Sequence, residues 1–242
     1  MKSFYIVIIF NLFVFSLHAF SLNEAYKERH NINFILNYNT NSRVFLHPKS
    51  SNPEMRNSYH IFDNFLSYGV EVKTNFYRNV VMLGFGVEFL KAEESLYSVR
   101  GLVNLVPRTF KVQESFYIFP LEFCAYYVFP FSGESFNAYM GAGFGVYYGE
   151  YERKIYDIKS KSKLSKIDVG ILVNSGVDFK LHKNFSVKLE LRFRDPELEF
   201  RNEYERLETV INGEKIQLFE KIFFTKVNVE GISILTGLSL WF

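Results

Sequence analysis

The stretch VKLELRFR, residues 187–194, alternates without interruption. Val187, Leu189, Leu191 and Phe193 fall on one side of an extended chain; Lys188, Glu190, Arg192 and Arg194 fall on the other. Successive side chains of a strand point to opposite faces, so the segment reads as a strand with one apolar and one charged face. Such charges buried without partners would cost several kcal/mol each, so they are expected to be matched by opposite charges.

The same period recurs along the chain. In LSYGVEVKTNF (66–76), Leu66, Tyr68, Val70, Val72, Thr74 and Phe76 oppose Ser67, Gly69, Glu71, Lys73 and Asn75. Val81, Leu83, Phe85, Val87 and Phe89 oppose Met82, Gly84, Gly86 and Glu88. Ile167, Val169, Ile171, Val173, Val177 and Phe179 oppose Asp168, Gly170, Asn174, Gly176 and Asp178. Weaker versions lie at 32–38, 116–129, 138–148 and 223–242, and no segment has the period of a long amphipathic helix. The count is about eight strands. Pro120 inside the fourth cannot donate a ladder hydrogen bond and predicts a bulge. A phase slip at Glu230–Gly231 predicts another.

The chain ends in GISILTGLSLWF (231–242), with Ile232, Ile234, Thr236, Leu238, Leu240 and Phe242 on one face. This predicts a last strand that is paired and packed rather than frayed. The start, MKSFYIVIIFNLFVFSLHAFS, has one cation (Lys2), an apolar run from Phe4 to Leu17, and small residues at Ala19 and Ser21. That is the layout of a secretory signal peptide, and the run is shorter than the roughly 20 residues of a membrane-spanning helix. The expected division is residues 1–21 as signal peptide and 22–242 as one β domain. No Cys follows the apolar run, so no lipoprotein anchor is expected. The single cysteine, Cys124, excludes an intrachain disulfide framework, and a net charge of +2 does not suggest a polyanion partner.

The connections alternate in length. Short ones fall near 77–79, 130–136 and 182–184; long polar ones fall near 41–58, 93–113, 151–166 and 196–221. In an up-and-down meander this gathers the short turns and both termini at one end, the arrangement of outer-membrane barrels. Alternation alone leaves open which face is outside, since a soluble lipocalin-like barrel or a sandwich turns its apolar face inward. Three features favour lipid outside. Glu71, Lys73, Glu88, Glu122, Lys188, Glu190, Arg192 and Arg194 mix both signs and suit a narrow lumen, with Gly69, Gly84, Gly86, Gly141, Gly143 and Gly145 leaving room. Aromatic residues gather at the short-turn end, at Phe76–Tyr77, Phe129–Phe131, Phe185 and Trp241–Phe242, as at a membrane interface. The chain also carries an export signal.

The signal peptide, the alternating strands, YMGAGFGVYYG (139–149) and the closing GLSLWF resemble small bacterial outer-membrane β-barrel proteins of the eight-stranded OmpA/OmpX or opacity type. The resemblance implies an all-β, transmembrane, up-and-down antiparallel β-barrel of about eight strands in the bacterial outer membrane. It also implies that Phe242 is read by the barrel-assembly machinery, and that lipids and lipopolysaccharide surround a monomer.

Chemistry-bearing motifs are few. GAGFG (141–145) lacks the following helix and lysine of a phosphate loop, and small residues beside bulky neighbours in a tapered barrel explain it better. His30, His47, His60 and His182 fall into no metal-binding pattern, and His60 lies near Ser58 and Asp63 at a strand start. These are read as solvated residues; no catalytic, cofactor-binding or metal-ligating residue is assigned, and no cofactor. The lysine-rich run at 152–166, with Arg153, Lys154, Lys159, Lys161, Lys163 and Lys166, is read as a solvated loop within reach of lipopolysaccharide phosphates. No fold signature for nucleic acid accompanies it. The expected role is structural or adhesion-like surface recognition by the four long loops. The alternatives are a narrow channel through the charged lumen and a lipid-modifying enzyme.

Overall fold

The computed structural model describes residues 30–77, 80–132, 135–182 and 184–242. The expected signal peptide lies outside them. Thirteen strands form one sheet: β1 (His30–Phe45), β2 (Tyr59–Tyr77), β3 (Val81–Val103), β4 (Val106–Val128), β5 (Phe136–Ile155), β6 (Ile158–Ser165), β7 (Asp168–His182), β8 (Phe185–Arg194), β9 (Glu197–Tyr204), β10 (Glu208–Ile211), β11 (Glu214–Leu218), β12 (Ile222–Asn228) and β13 (Gly231–Trp241). A short helix, α1 (Pro53–Asn57), is capped by Asn52, whose side chain accepts from the Glu54 N–H.

The sheet closes on itself. In the lower half, neighbours run β1–β2–β3–β4–β5–β7–β8–β13, and β13 pairs with β1 from Trp241↔Asn31 to Ser233↔Asn39. His30 and Phe242 exchange both backbone hydrogen bonds, at 3.1 and 2.9 Å. The last strand therefore seals the barrel against the first, and no edge is left there to hydrocarbon.

Above that, the ring continues through different partners: β5 meets β6, β6 meets β9, β9 meets β12, and β12 meets β1. The pairs β6/β7, β8/β9 and β12/β13 are thus long strands broken at one level, around Lys166–Ile167, Asp195–Pro196 and Val229–Glu230. The slip expected at Glu230–Gly231 is present. Between the Asn39–Ser233 and Arg43–Asn228 pairs, the last strand holds one residue more than β1, and Gly231 takes a φ of +129° that suits glycine. The bulge expected at Pro120 is not. The β4–β5 ladder runs through Pro120↔Tyr147, and β3–β4 keeps one register on both sides, from Val87↔Leu121 to Leu90↔Ile118. Proline leaves a gap in one ladder without adding a residue.

The break divides two storeys of opposite polarity. In the lower storey the apolar face looks out. Leu189, Leu191 and Phe193 are 49%, 54% and 43% exposed, while Lys188, Glu190 and Arg192 are buried inside. On β3 the outward side chains change from Leu83, Phe85, Val87 and Phe89 to Lys91 and Glu93, and the inward ones from Glu88 to Leu90 and Ala92. Phe65, Phe110, Val112, Phe116, Ile118, Ile155, Ile158, Leu198, Phe200, Leu218, Phe223 and Val227 form an apolar core within the upper storey. The nine residues from Val81 to Phe89, at about 3.3 Å each and a tilt of about 40°, give a belt of about 23 Å, the height of a membrane barrel's apolar band. The upper storey is built as a soluble barrel.

The expected long loops are corrected by this. Segments 93–113 and 151–166 are strand hairpins turning at Asn104–Leu105 and Tyr156–Asp157, and only 46–58 is mostly irregular. Asn212–Gly213 turns the β10–β11 hairpin, as its sequence predicts, and β11 pairs with β3 through Ile216↔Val103. Charged residues on the outer face had disguised strands as loops.

Candidate functional site

Lower-storey strands carry their inward side chains into one ion-pair lattice. Arg194 grips Glu88 with two nitrogens, at 2.9 and 3.0 Å, and reaches Glu122 at 3.2 Å. Arg192 joins Glu122 and Glu190, both at 2.8 Å. Lys188 pairs with Glu71 and, at 3.0 Å, with Glu190. Lys73 lies 3.6 Å from Glu71 and 3.8 Å from Glu190, and sits over the rings of Tyr126 and Tyr139 at 3.8 and 4.1 Å. Five buried acids, Glu71, Glu88, Glu122, Asp178 and Glu190, face four buried bases, Lys73, Lys188, Arg192 and Arg194, and Asp178 stands opposite Lys188 in the β7–β8 register. Tyr126, Tyr139 and Tyr147 donate to Glu71, Glu190 and Glu122.

These are the charges that alternation assigned to the lumen, and together they fill it. A void lined by Glu71, Glu88, Glu122 and Arg192 amounts to about 10 Å³, which is about the room of one water. Gly141 and Gly145 supply the space for the tyrosines: a Cβ on Gly141 would meet the Tyr126 ring at 2.7 Å, and one on Gly145 the Tyr147 ring at 2.7 Å.

One expectation about the aromatic rim is corrected. Phe76, Tyr77, Phe131 and Phe242 are exposed at the short-turn end, but Trp241 is 5% exposed and its Nε1 donates to Ser186 Oγ at 2.8 Å. Trp241 plugs the lumen because position 241 shares the inward phase of Ser239 and Leu235. At the top of the belt Tyr68, Phe89, Tyr117 and Phe119 form a second aromatic band, with ring centres 5.1 to 6.2 Å apart along it.

The upper storey holds a cavity of about 570 Å³. Leu46, Met55, Val99, Leu218, Phe219 and Phe223 supply its apolar wall; His47, His60, Arg100, Arg153, Tyr204 and Glu220 supply polar groups. Arg153 is central. Its Nε lies 2.8 Å from Glu114, its Nη1 donates to Tyr204 Oη at 3.3 Å, and its guanidinium stacks 4.1 Å from the Phe223 ring. Burial disfavours its charge, but Glu114, Tyr151 and Tyr204 outweigh that and hold it protonated. Glu114 is further bound by Ser98 at 2.9 Å and by Tyr151. Partial desolvation, followed by the field of Arg153, lowers the pKa of His47, an exposed residue at the cavity wall, from 6.5.

Arg153 therefore does not belong to a basic outer patch. It faces inward, and of the same run Lys161 pairs with Glu205 at 3.2 Å and Lys166 with Glu199 at 2.6 Å. The signal for this was legible: Gly145, Tyr147, Gly149, Tyr151 and Arg153 keep one phase, and Glu150, Glu152 and Lys154 the other. Ser58, His60 and Asp63 do not assemble. Ser58 donates to the Met55 carbonyl at 2.8 Å, and among the described residues no hydrogen bond links the three.

The closed ring, lipid-facing belt and charged lumen fit one class of protein, and a profile of the outer membrane protein beta-barrel domain matches residues 12–205. The chain belongs to that family. It is accordingly a barrel of the bacterial outer membrane, with lipid around its apolar belt. Among solved structures, Ail, the attachment invasion locus protein of Yersinia pestis, is similar at 10% identity, over 90% of this chain and 100% of its own, with a TM-score of 0.45. Neisserial surface protein A is similar at 11% identity, over 88% of this chain and 97% of its own, with a TM-score of 0.43. The outer membrane protease OmpT of Escherichia coli is similar at 11% identity, over 90% and 99%, with a TM-score of 0.35. No curated protein sequence matches the barrel.

Proposed function

We propose that the barrel is a non-enzymatic, non-conducting surface protein whose upper storey presents a rigid recognition face outside the cell, in the manner of an adhesin. The observation that carries this reading is the polarity inversion. Strands such as β3 and β4 continue past the belt as a barrel with its own apolar core, which holds the hairpin tips in fixed positions. Recognition commonly resides in connections held by a stiff scaffold. The ion-pair lattice fills the lumen and supports closure over conduction. In this reading the short turns and Phe242 face the periplasm, where Phe242 is the handle for the assembly machinery. Lys154 and Lys159 meet lipopolysaccharide phosphates, and the barrel works as a monomer.

The test joins two measurements. An epitope inserted at Asn212–Gly213 is expected to be stained on intact cells, and replacing the 207–219 hairpin by a short turn to reduce adherence of those cells to matrix-coated surfaces. Staining only after permeabilisation, or unchanged adherence, refutes the surface role. Stepwise conductance in planar bilayers refutes the sealed lumen and favours the channel alternative. A lipid A profile altered by the barrel's expression would favour the enzyme.

A further inference from the structure

We propose that the upper-storey cavity is a binding site for a small, water-borne monoanion with an apolar body, whose acid group is taken by Arg153. This does not depend on the adhesin reading, which concerns the outer surface and hairpin tips.

Three observations converge. The cavity, at about 570 Å³, falls within the 300–1,000 Å³ typical of small-molecule sites, which combine apolar walls with a few fixed polar groups. Its walls are of that mixed kind, with Leu46, Val99, Leu218 and Phe223 beside Arg100, Arg153 and Tyr204. Arg153 is only 5% exposed, and neither its Nη2 nor its Nε, which meets Glu114 as an ion pair, makes a hydrogen bond. A buried donor left unpaired costs about 1–3 kcal/mol, and more on a charged group, so an acceptor brought in from outside completes the site.

Charge fixes the ligand's sign and limits its valence. Glu114 lies against Arg153 Nε and accepts from Ser98 and Tyr151, and it makes no hydrogen bond to Nη2. Arg100 adds a second cation to the wall, while exposed Glu220 adds a negative charge at the rim. The four charges cancel in sum, so the acid group is drawn by the local donors of Arg153 and Arg100, while Glu114 and Glu220 oppose a second negative charge. Phe223 stacked on the guanidinium and Tyr204 holding Nη1 fix the plane of the fork before any ligand arrives, which lowers the ordering cost of binding. The cavity is lined at the far end of the barrel by Met55 of α1 and the adjoining Ser58, and by the 98–100 and 218–220 segments. These lie beyond the charged collar of Lys91, Glu93 and Glu150, so the ligand enters from the medium rather than from the bilayer.

The test uses the full chain in lipid nanodiscs and isothermal titration with two probes of equal shape, 1-naphthoate and neutral 1-naphthamide. Naphthoate is expected to bind roughly ten- to a hundredfold more tightly, the range of a hydrogen bond to a charged group. The paired variant Arg153→Met/Glu114→Gln removes both charges and is expected to abolish that preference. Equal affinity of the two probes for the unaltered chain, or an intact preference in a paired variant that still migrates as a folded barrel, overturns the proposal. Should the paired variant fail to fold, Ser58→Phe decides. It adds bulk from an exposed position at the cavity wall and is expected to block naphthoate; retained binding overturns the proposal.

Discussion

Replacing Arg194 by Met would remove the most densely bonded cation of the lumen while keeping its aliphatic stem. Arg194 is 1% exposed and bonds Glu88 twice, Glu122 once, and Asn39 Oδ1 at 2.9 Å. After the change Glu88 keeps the Ser67 hydroxyl, the Asn37 amide at 3.2 Å, and Arg192 at 3.6 Å. Breaking a buried pair by deleting one partner costs about 3–5 kcal/mol. Because Arg192 remains near, the expected loss is at the lower end, about 3 kcal/mol. Glu88→Gln added to Arg194→Met restores the original balance of charges and should leave a deficit of only about 1 kcal/mol, since a matched pair replaced by neutral groups is often nearly isoenergetic. Urea unfolding in lipid vesicles reads this out through the fluorescence of Trp241, the chain's single tryptophan, buried against Ser186. With a slope of about 2 kcal/mol/M, Arg194→Met should lower the midpoint by about 1.5 M and the double variant by about 0.5 M. A double variant no more stable than Arg194→Met would refute the claim that charge balance holds the lumen together.

Leu189→Arg places a charge on the lipid-facing belt and should cost about 2–4 kcal/mol if the position is near mid-membrane; Lys91→Leu, on the outside of the upper storey, should change stability by less than about 0.5 kcal/mol, both read from the same urea midpoints. Gly143→Val sets a Cβ against the Phe123 carbonyl, with the Cys124 Cα at 2.7 Å, so β4 and β5 must part. The expected result is loss of the heat-modifiable folded band on gels, and a normal band would refute the close approach. His47 favours its neutral form in the fold. Below pH 6.5 the unfolded chain gains a proton that the folded one resists, so upper-storey stability should fall with acidification from 6.5 down to the lowered folded-state pKa, by a small amount because His47 is exposed and screened by solvent. Hydrogen exchange of the β10–β11 hairpin at pH 7.5 and 5.5 tests this, and His47→Gln should remove the dependence.

Alternation in VKLELRFR, LSYGVEVKTNF and the last strand was enough to determine the strands and their phase, and the mixed-sign charges and the aromatic rim then assigned the charged face to the inside. Period two fixes the face of every side chain once one face is assigned. The closing of GISILTGLSLWF against β1, the irregularity at Gly231 and the Asn212–Gly213 turn were legible for the same local reason. Trp241 was misread only because its rim position outweighed its phase. Tertiary structure alone decided where inside and outside exchange character. Leu90 follows Glu88 inward and Lys91 follows Phe89 outward without any change of period, so nothing local separates a lipid-facing strand from a solvent-facing one. The difference lies in what surrounds the ring at each height. For the same reason the Arg153–Glu114 pair and its cavity exist only once β4, β5, β9 and β12 have closed around them.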